Sequence, residues 1–511
     1  MFLQKLDELY LSYDVIYAGL VGIKKSKLSE NQLKRIRGNC KKVKKQFIET
    51  EEKVVVKSFR DTKNYIWVPR YFDHKLNLKA VPSVNLTMTG DPIDLEFNFE
   101  LRDDRDQVNA YHAMVLHLSQ YGAGILKAYT GFGKTFVSVK IASYFNCPIA
   151  VFVDQVNRIP QWVSELCEAT NLTEKDIGIV QGSRCDLGKP ITIISTHSIV
   201  FDEDASRYPE LYSQMGFLIA DECELFGAKK WSTTFSKFSA KYRLGMSATP
   251  YRKDGLDEIF KWELGGKNAI VYEARKGNNI ERPDFYEIII DTDPEIDGIS
   301  DEMILNSGRP DFGEYCTKIA RNKMINLTVS NWISKMMEEG RKTLVLCQRK
   351  GQPFQLEKFT YKAIEKNNLI DPFNRNIAVM SAGGDAEKKR KKALESPVTI
   401  STFHQLRRGY SDSNVDTLIF AGPPGADITQ PLGRLRDFKT SDSDRKNLVA
   451  IWFSTNLNYD QKRSMMYEAQ LRELDVNFRQ IRVTPIRTVT ELKRLVKARQ
   501  SKFKNGVRLP E

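Results

Sequence analysis

Thr130-Gly131-Phe132-Gly133-Lys134-Thr135 follows an apolar run ending at Ala128 and opens a helical stretch reaching about Phe145. Glycines in such a turn let backbone N–H groups face phosphate oxygens, and a helix N-terminus adds positive potential. The pattern reads as a P-loop with Ala128 in place of its first glycine: Thr130, Gly131 and Gly133 form the cradle, Lys134 reaches the β/γ-phosphates and Thr135 ligates Mg²⁺. Further on, Phe217-Leu218-Ile219-Ala220 runs into Asp221-Glu222-Cys223-Glu224. An apolar strand ending in adjacent carboxylates suits a second magnesium contact, Asp221, and a base, Glu222, that polarises water attacking the γ-phosphate. The implied chemistry is hydrolysis of ATP with Mg²⁺.

Such residues need strand ends to hold them. From residue 98 onward short apolar runs (Ile125-Leu126, Ile149 to Val153, Ile191 to Ile194, Phe217 to Ala220, Tyr242 to Met246) alternate with helical stretches. Strands covered on both faces by crossover helices read this way, so 98–275 is expected as a parallel α/β domain. A second series, Thr343 to Cys347, Ile377 to Met380, Val398 to Ser401, Thr417 to Phe420 and Leu448 to Trp452, makes 321–456 another domain of the same type, after a Gly/Pro-punctuated connector at 276–320. Residues 1–97 read as a small α+β accessory domain. Its basic helix spans Ser29 to Phe47, opened by a Ser29/Gln32 capping box with Leu33, Ile36, Val43 and Phe47 apolar, and Tyr65 to Val68 is a strand. The tail, 457–511, is expected to be basic and helical, with helices over Tyr467 to Leu474 and Val489 to Ala498. The fold class is therefore α/β.

In this order the motifs resemble those of superfamily-2 helicases and translocases, across roughly residues 100–440. The resemblance implies two RecA-like motor domains with ATP bound between them. It implies that Gln107 reads adenine, that Ser247-Ala248-Thr249 relays hydrolysis to nucleic-acid movement, and that the following Pro250-x-Arg252-x-Asp254 is similar to the XPB branch. Ser401-Thr402-Phe403-His404-Gln405-Leu406-Arg407-Arg408-Gly409 resembles motif V, with Thr402 on nucleic-acid phosphate and Gly409 near ATP. Gln430-x-x-Gly433-Arg434 resembles motif VI, with Arg434 as arginine finger and Arg436 as a displaced second arginine. Three positions depart from the pattern: Glu224 where histidine is frequent, Ser411 where many relatives have aspartate, and Asp437 where the second arginine falls.

Arg158, Gln161 and Trp162 resemble motif Ia, Thr196 and His197 motif Ib, and Gln348 and Arg349 motif IV, a set expected to line a strand-binding track. Trp162 reads equally as core or as a base platform. The arrangement of a small N-terminal domain, two motor domains and a short tail most resembles the phage UvsW-type branch-migration helicases, with RecG as a functional relative. This implies a DNA partner (forked, branched or single-stranded) and a role in recombination, repair or replication restart. An RNA helicase, a defence-complex motor and an ATP-switched binding scaffold remain open as alternatives.

Charge suits a polyanionic partner and solvated basic faces equally. The formal net charge is +13; residues 1–60 hold 14 Lys/Arg against 7 Asp/Glu and residues 461–511 hold 13 against 5, leaving the middle close to neutral. Basic ends suit phosphate contacts with counterion release, or solvated faces that keep a protein soluble. Seven cysteines without CxxC and five histidines without HExxH indicate neither disulfides nor structural zinc. No apolar run approaches the ~18 residues of a membrane span, and Asp7 and Glu8 stand where a signal peptide has its apolar core. A cytoplasmic protein is expected, in the host cytoplasm for a viral sequence. The sequence gives no handle on oligomeric state and is compatible with a monomer.

Overall fold

The computed structural model describes the chain apart from residues 1, 45–53, 77–81, 130, 203–204, 253, 275–281, 307–308, 368–374, 381–385, 407–413, 426–427, 434, 436–446 and 485–511. It forms two compact units, Met1–Asn279 and Ile280–Glu511. Among the described residues no helix is long and apolar enough to cross a membrane.

In the first unit the Ser29 capping box forms: the Gln32 N–H donates to Ser29 Oγ at 3.3 Å and the Ser29 N–H to Gln32 Oε1 at 2.8 Å. The helix it opens, Glu30–Asn39, buries Leu33 and Ile36 but ends well before the expected Phe47. Gly38 weakens the last turn, and Lys41–Val43 pairs instead as a strand with Val55–Lys57, leaving Val43 exposed. Phe47 lies outside the described residues. The Tyr65–Val68 strand is buried throughout, in a sheet ordered Arg60–Asp61, Tyr65–Val68, Val21–Lys24, Val15–Tyr17, Ser83–Asn85. Trp67 and Phe72 are core residues, and the Tyr71 hydroxyl donates to the Tyr121 carbonyl at 3.0 Å. Tyr65 to Val68 and Phe72 therefore pack inward, while Arg70 and Tyr71 are half-buried.

Residues 1–97, expected as a separate domain, share a core with the first motor domain. Leu256, Ile259 and Trp262 pack into the cluster built by Val15, Val21, Ile36 and Ile66. Gly19 lies so close to the motor domain that a Cβ there would meet the Ser236 carbonyl oxygen at 2.2 Å, an approach only glycine permits. The fully buried Arg243 donates to the Gly19 carbonyl at 2.7 Å and to the Phe235 carbonyl at 3.2 Å, and pairs with Glu263. Arg70 repeats the link in the other direction, donating to the Ala18 carbonyl at 2.6 Å and the Ala240 carbonyl at 2.8 Å.

The motor sheet of this unit runs Arg184–Cys185, Ile177–Gln181, Ile191–Ser195, Ile149–Val153, Phe217–Asp221, Tyr242–Ser247, Ala123–Lys127, Ile270–Glu273. Every pair is parallel except the short Arg184–Cys185 edge. The helices Gln107–Tyr121, Lys134–Tyr144 and Ile159–Ala169 contribute to one covering layer, whose core includes Met114, Leu118, Ile141 and Leu166.

The second unit carries a parallel sheet ordered Ile377–Met380, Val398–Thr402, Thr343–Cys347, Thr417–Phe420, Val449–Thr455, Asp284–Ile290, Phe478–Val483. Two of these strands come from segments read otherwise. Asp284–Ile290 lies in the expected connector; its Phe285, Ile288 and Ile290 are fully buried, and the Gly and Pro residues around it punctuate loops on either side of a real strand. The tail begins with the helix Asn458–Glu473 and then turns into the edge strand Phe478–Val483. Val489 to Ala498 lies outside the described residues.

Candidate active site

Parallel neighbours bring three loops to one edge. The Ala123–Lys127, Tyr242–Ser247 and Phe217–Asp221 strands are adjacent, with Lys127 opposite Ser247 and Met246 opposite Asp221. The P-loop, the Ser247-Ala248-Thr249 turn and the acid box therefore leave the sheet side by side at its carboxyl end, where open α/β sheets bind ligands. The Ala128 N–H donates to the Ser247 carbonyl at 2.9 Å, and Ser247 Oγ accepts from the Thr249 N–H at 2.9 Å.

Gly131 (φ +92°) and Gly133 (φ +90°) adopt left-handed backbone conformations just before the Lys134–Tyr144 helix. At Gly133 a Cβ would also meet Gln107 Nε2 at 2.6 Å, so the position is closed to a side chain twice over. The Gln107 side chain is buried and spans two backbone groups: its Oε1 accepts from the Arg102 N–H at 2.8 Å and its Nε2 donates to the Phe132 carbonyl. Gln107, expected to read adenine, thus braces the P-loop here. Arg105, which the sequence reading passed over, donates to the Gly131 carbonyl at 2.6 Å. Lys134 Nζ makes a long contact of 3.3 Å with the Ala128 carbonyl, and Thr135 is half-buried on the first turn. Thr130 lies outside the described residues.

At the acid box Glu222 holds φ +51°, a left-handed conformation unfavourable for a residue with a Cβ and kept only where the surrounding structure over-determines it. Arg158 donates to Asp221 Oδ2 at 2.8 Å, with Nη2 3.5 Å from Glu222 Oε1 and Nη1 3.5 Å from Asp154. The Asp221 charge above all, with Glu222 and Asp154, raises the pKa of Arg158 against the cost of its burial. Glu224 lies behind this face. Burial and then the nearby Glu222 charge push its carboxyl up to about 8, and its Oε2 is buried with no hydrogen-bond partner among the described residues. The Glu224 carbonyl accepts from Arg252 Nη1 at 2.7 Å, while Arg252 grips Asp254 through Nε at 2.9 Å and Nη2 at 2.6 Å. The Arg252-x-Asp254 pair thereby ties the acid-box turn to the loop after Ser247, a structural role that the spacing alone did not specify.

Phosphate loop, lysine, hydroxyl and paired carboxylates fit a nucleoside triphosphate with a divalent cation. Thr135 and Asp221 are the residues that would hold the cation, and the Arg158 guanidinium now faces the same carboxylate.

The expected strand-binding track is assembled differently. Thr196 is buried, its hydroxyl donated to the Val153 carbonyl at 2.9 Å, and Trp162 belongs to the core. Gln161 bonds Glu165 within its own helix at 2.7 Å, and Arg158 is turned to the acid box. Beside them His197 is exposed and set edge-on to Trp231. In the second unit Gln348 Nε2 donates to the Pro423 carbonyl at 2.7 Å, Arg349 contacts Thr317 Oγ1 at 3.0 Å and the Gly313 carbonyl, and buried Thr402 accepts from the Gln405 N–H at 3.3 Å. Gly409, Arg434 and Arg436 lie outside the described residues.

Two RecA-like parallel sheets, one of them bearing a P-loop beside an acid box, are the architecture that the resemblance to superfamily-2 helicases implied. Comparison with known proteins shows what the chain is similar to. The family described as type III restriction enzyme, res subunit, matches residues 99–252. A protein of Acanthamoeba polyphaga mimivirus named as an ATP-dependent RNA helicase, L396, is 24% identical over 376 residues, covering 73% of this chain and 68% of the relative. The DNA 3'-5' translocase XPB2 of Sulfurisphaera tokodaii is 29% identical over 191 residues, 35% of this chain and 42% of that protein. Among solved structures, the ATP-dependent Type ISP restriction-modification enzyme LlaBIII bound to DNA matches 77% of this chain and 32% of its own at 15% identity, with a TM-score of 0.51.

Proposed function

We propose that this chain is a nucleic-acid-stimulated ATPase that translocates on or unwinds DNA, acting on forked or branched substrates as the UvsW-like arrangement implies. The observation that carries the ATPase reading is the alignment of Lys127, Ser247 and Asp221 at the ends of three adjacent parallel strands, which sets the phosphate loop beside the acid box. Backbone N–H groups of the P-loop and Lys134 bind and orient the polyphosphate. Bound Mg²⁺ at Thr135 and Asp221 would neutralise developing phosphate charge. Glu222 takes the proton of the attacking water, and Arg434, with Arg436 two residues further on, supplies charge stabilisation worth ~10³–10⁵ in rate when an arginine finger is engaged. The Ser247 to Thr249 turn, hydrogen-bonded to the P-loop, couples the site to nucleic-acid movement.

An RNA substrate is the second reading, supported by the mimivirus relative's name. Steady-state ATP turnover of the protein and of Lys134→Ala, with single-stranded DNA, duplex, fork, four-way junction and RNA, decides between them. Strongest stimulation by fork or junction, absent in the variant, supports the branched-DNA motor. Stimulation by RNA alone replaces it with an RNA motor, and no stimulation by any nucleic acid leaves an ATP-dependent switch. Parallel Arg434→Ala and Arg436→Ala variants that both keep stimulated turnover would refute the finger assignment.

A further inference from the structure

A cavity of about 590 Å³ opens where the accessory sheet meets the motor domain, away from the ATP-site loops. Three stretches of chain form it: the N-terminal helix through Leu3 and Gln4, the edge strand at Arg60 and Asp61, and motor-domain residues between Val200 and Lys237. Its charge is lopsided. Arg60, Lys229, Lys230 and Lys237 face one carboxylate, Asp61, and that group is already taken by Lys25 at 3.1 Å and Arg37 at 3.0 Å. Lys237 spends its ammonium on the Ile199 carbonyl. Among the described residues, Arg60, Lys229 and Lys230 have no carboxylate within salt-bridge distance, and all three are exposed. Three unneutralised cations sharing one cleft repel one another, a cost that an anionic ligand removes.

The cleft also holds an aromatic face. Phe201 is 65% exposed, a large value for a phenylalanine, and Lys230 Nζ lies 5.3 Å from its ring centroid. Phe201 follows the short Thr196–Val200 helix, and the exposed His197 on that helix sets its ring against Trp231, next to Lys230. Cations without a carboxylate partner beside an exposed ring match a ligand that alternates phosphate and flat base, which is a nucleic-acid strand. An acidic protein segment would use the cations and leave Phe201 without a partner.

We propose that this cleft binds a nucleic-acid strand, its phosphates on Arg60, Lys229 and Lys230 and a base stacked on Phe201, so that the accessory sheet and the motor domain grip the strand together. The inference rests on the nucleic-acid reading above and adds a site outside the motifs that define it.

The two kinds of contact leave different signatures in equilibrium binding of labelled single-stranded DNA, single-stranded RNA and forked DNA to the full chain across a salt series. Arg60→Gln/Lys230→Gln should weaken binding about tenfold and flatten the log Kd against log salt slope by about 1.4 on single strands, the release expected for two phosphates at ~0.7 each. Phe201→Ala should weaken binding about tenfold with the slope unchanged, because stacking releases no counterions. Phe201 is exposed, so that variant keeps its fold, and thermal unfolding verifies both. Wild-type affinity and slope in both variants overturn the cleft while leaving the motor intact. Loss only in the charge variant assigns the cleft to a polyanion without bases and overturns the proposal as stated. If no nucleic acid binds the wild-type chain or stimulates its ATP turnover, the failure belongs to the functional reading instead.

Discussion

Arg158 reaches Asp221 from the loop that follows the neighbouring strand, closing a 2.8 Å ion pair across the acid box, with Glu222 3.5 Å from its second nitrogen. The pair is part-buried, with about a fifth of the arginine side chain and less of the aspartate exposed. Arg158→Gln leaves two adjacent carboxylates facing each other without a cation. Urea denaturation should show a loss of ~1–3 kcal/mol at neutral pH, partly screened because the site is not fully buried. Manganese binding followed by electron paramagnetic resonance should tighten in the same variant, since the competing guanidinium is gone. Unaltered manganese affinity would mean that Arg158 and the divalent cation do not contend for Asp221.

Lys134 makes one long hydrogen bond to its own loop, to the Ala128 carbonyl at 3.3 Å, so little of the fold depends on it. Lys134→Ala should retain the wild-type melting temperature and lose ATP turnover by about 10²–10³-fold, the usual cost of removing a preorganised charge contact to the transition state. A variant that melts early would show that the lysine serves the fold.

Arg243 is fully buried against Glu263, and burial raises the Glu263 carboxyl even beside that cation. Arg243→Met strands the carboxylate and frees the Gly19 and Phe235 carbonyls, for an expected loss of ~3–5 kcal/mol. Adding Glu263→Leu should recover part of it. A double variant no more stable than the single one would place the loss in the backbone carbonyls.

Asp460 gives the second unit a pH signature. Its carboxylate accepts from the Thr455 N–H at 2.6 Å, the Thr455 hydroxyl at 2.8 Å and the Tyr315 hydroxyl, yet burial pushes it up to about 6, with Glu287 adding in the same direction. A carboxyl whose folded pKa exceeds its unfolded one contributes stability that is full below the unfolded value of about 4 and lost as pH rises toward 6. Asp460→Asn should flatten that part of the stability profile, measured as melting temperature between pH 4 and 7. An unchanged profile would assign the slope to other groups.

Much of the fold was legible in the sequence because its signals are local. Five-residue apolar runs bounded by turns located the buried parallel strands, and Gly131-x-Gly133-Lys134-Thr135 fixed both the loop and the helix after it. Asp284–Ile290 and Phe478–Val483 escaped because their pairing is non-local: each completes the second sheet only beside a strand far along the chain, and their flanks read as connector and tail. The acid box was legible as residue types, whereas its geometry was not. The left-handed Glu222, the turn of Arg158 toward Asp221 and the inward Thr196 depend on which strands are neighbours, and spacing carries no such information. Arg252 and Asp254 stood in plain view in a recognised motif, but their grip on the Glu224 carbonyl appears only when the two loops meet.

Gly19 pressed against Ser236, and Arg70 and Arg243 reaching in opposite directions across the same seam, have a mechanical meaning. The seam packs the accessory sheet and the larger parallel sheet of the first unit around shared side chains. The outer strand at Arg60 is thereby fixed to the parallel sheet as a blade is to its handle, and the two are placed as one piece.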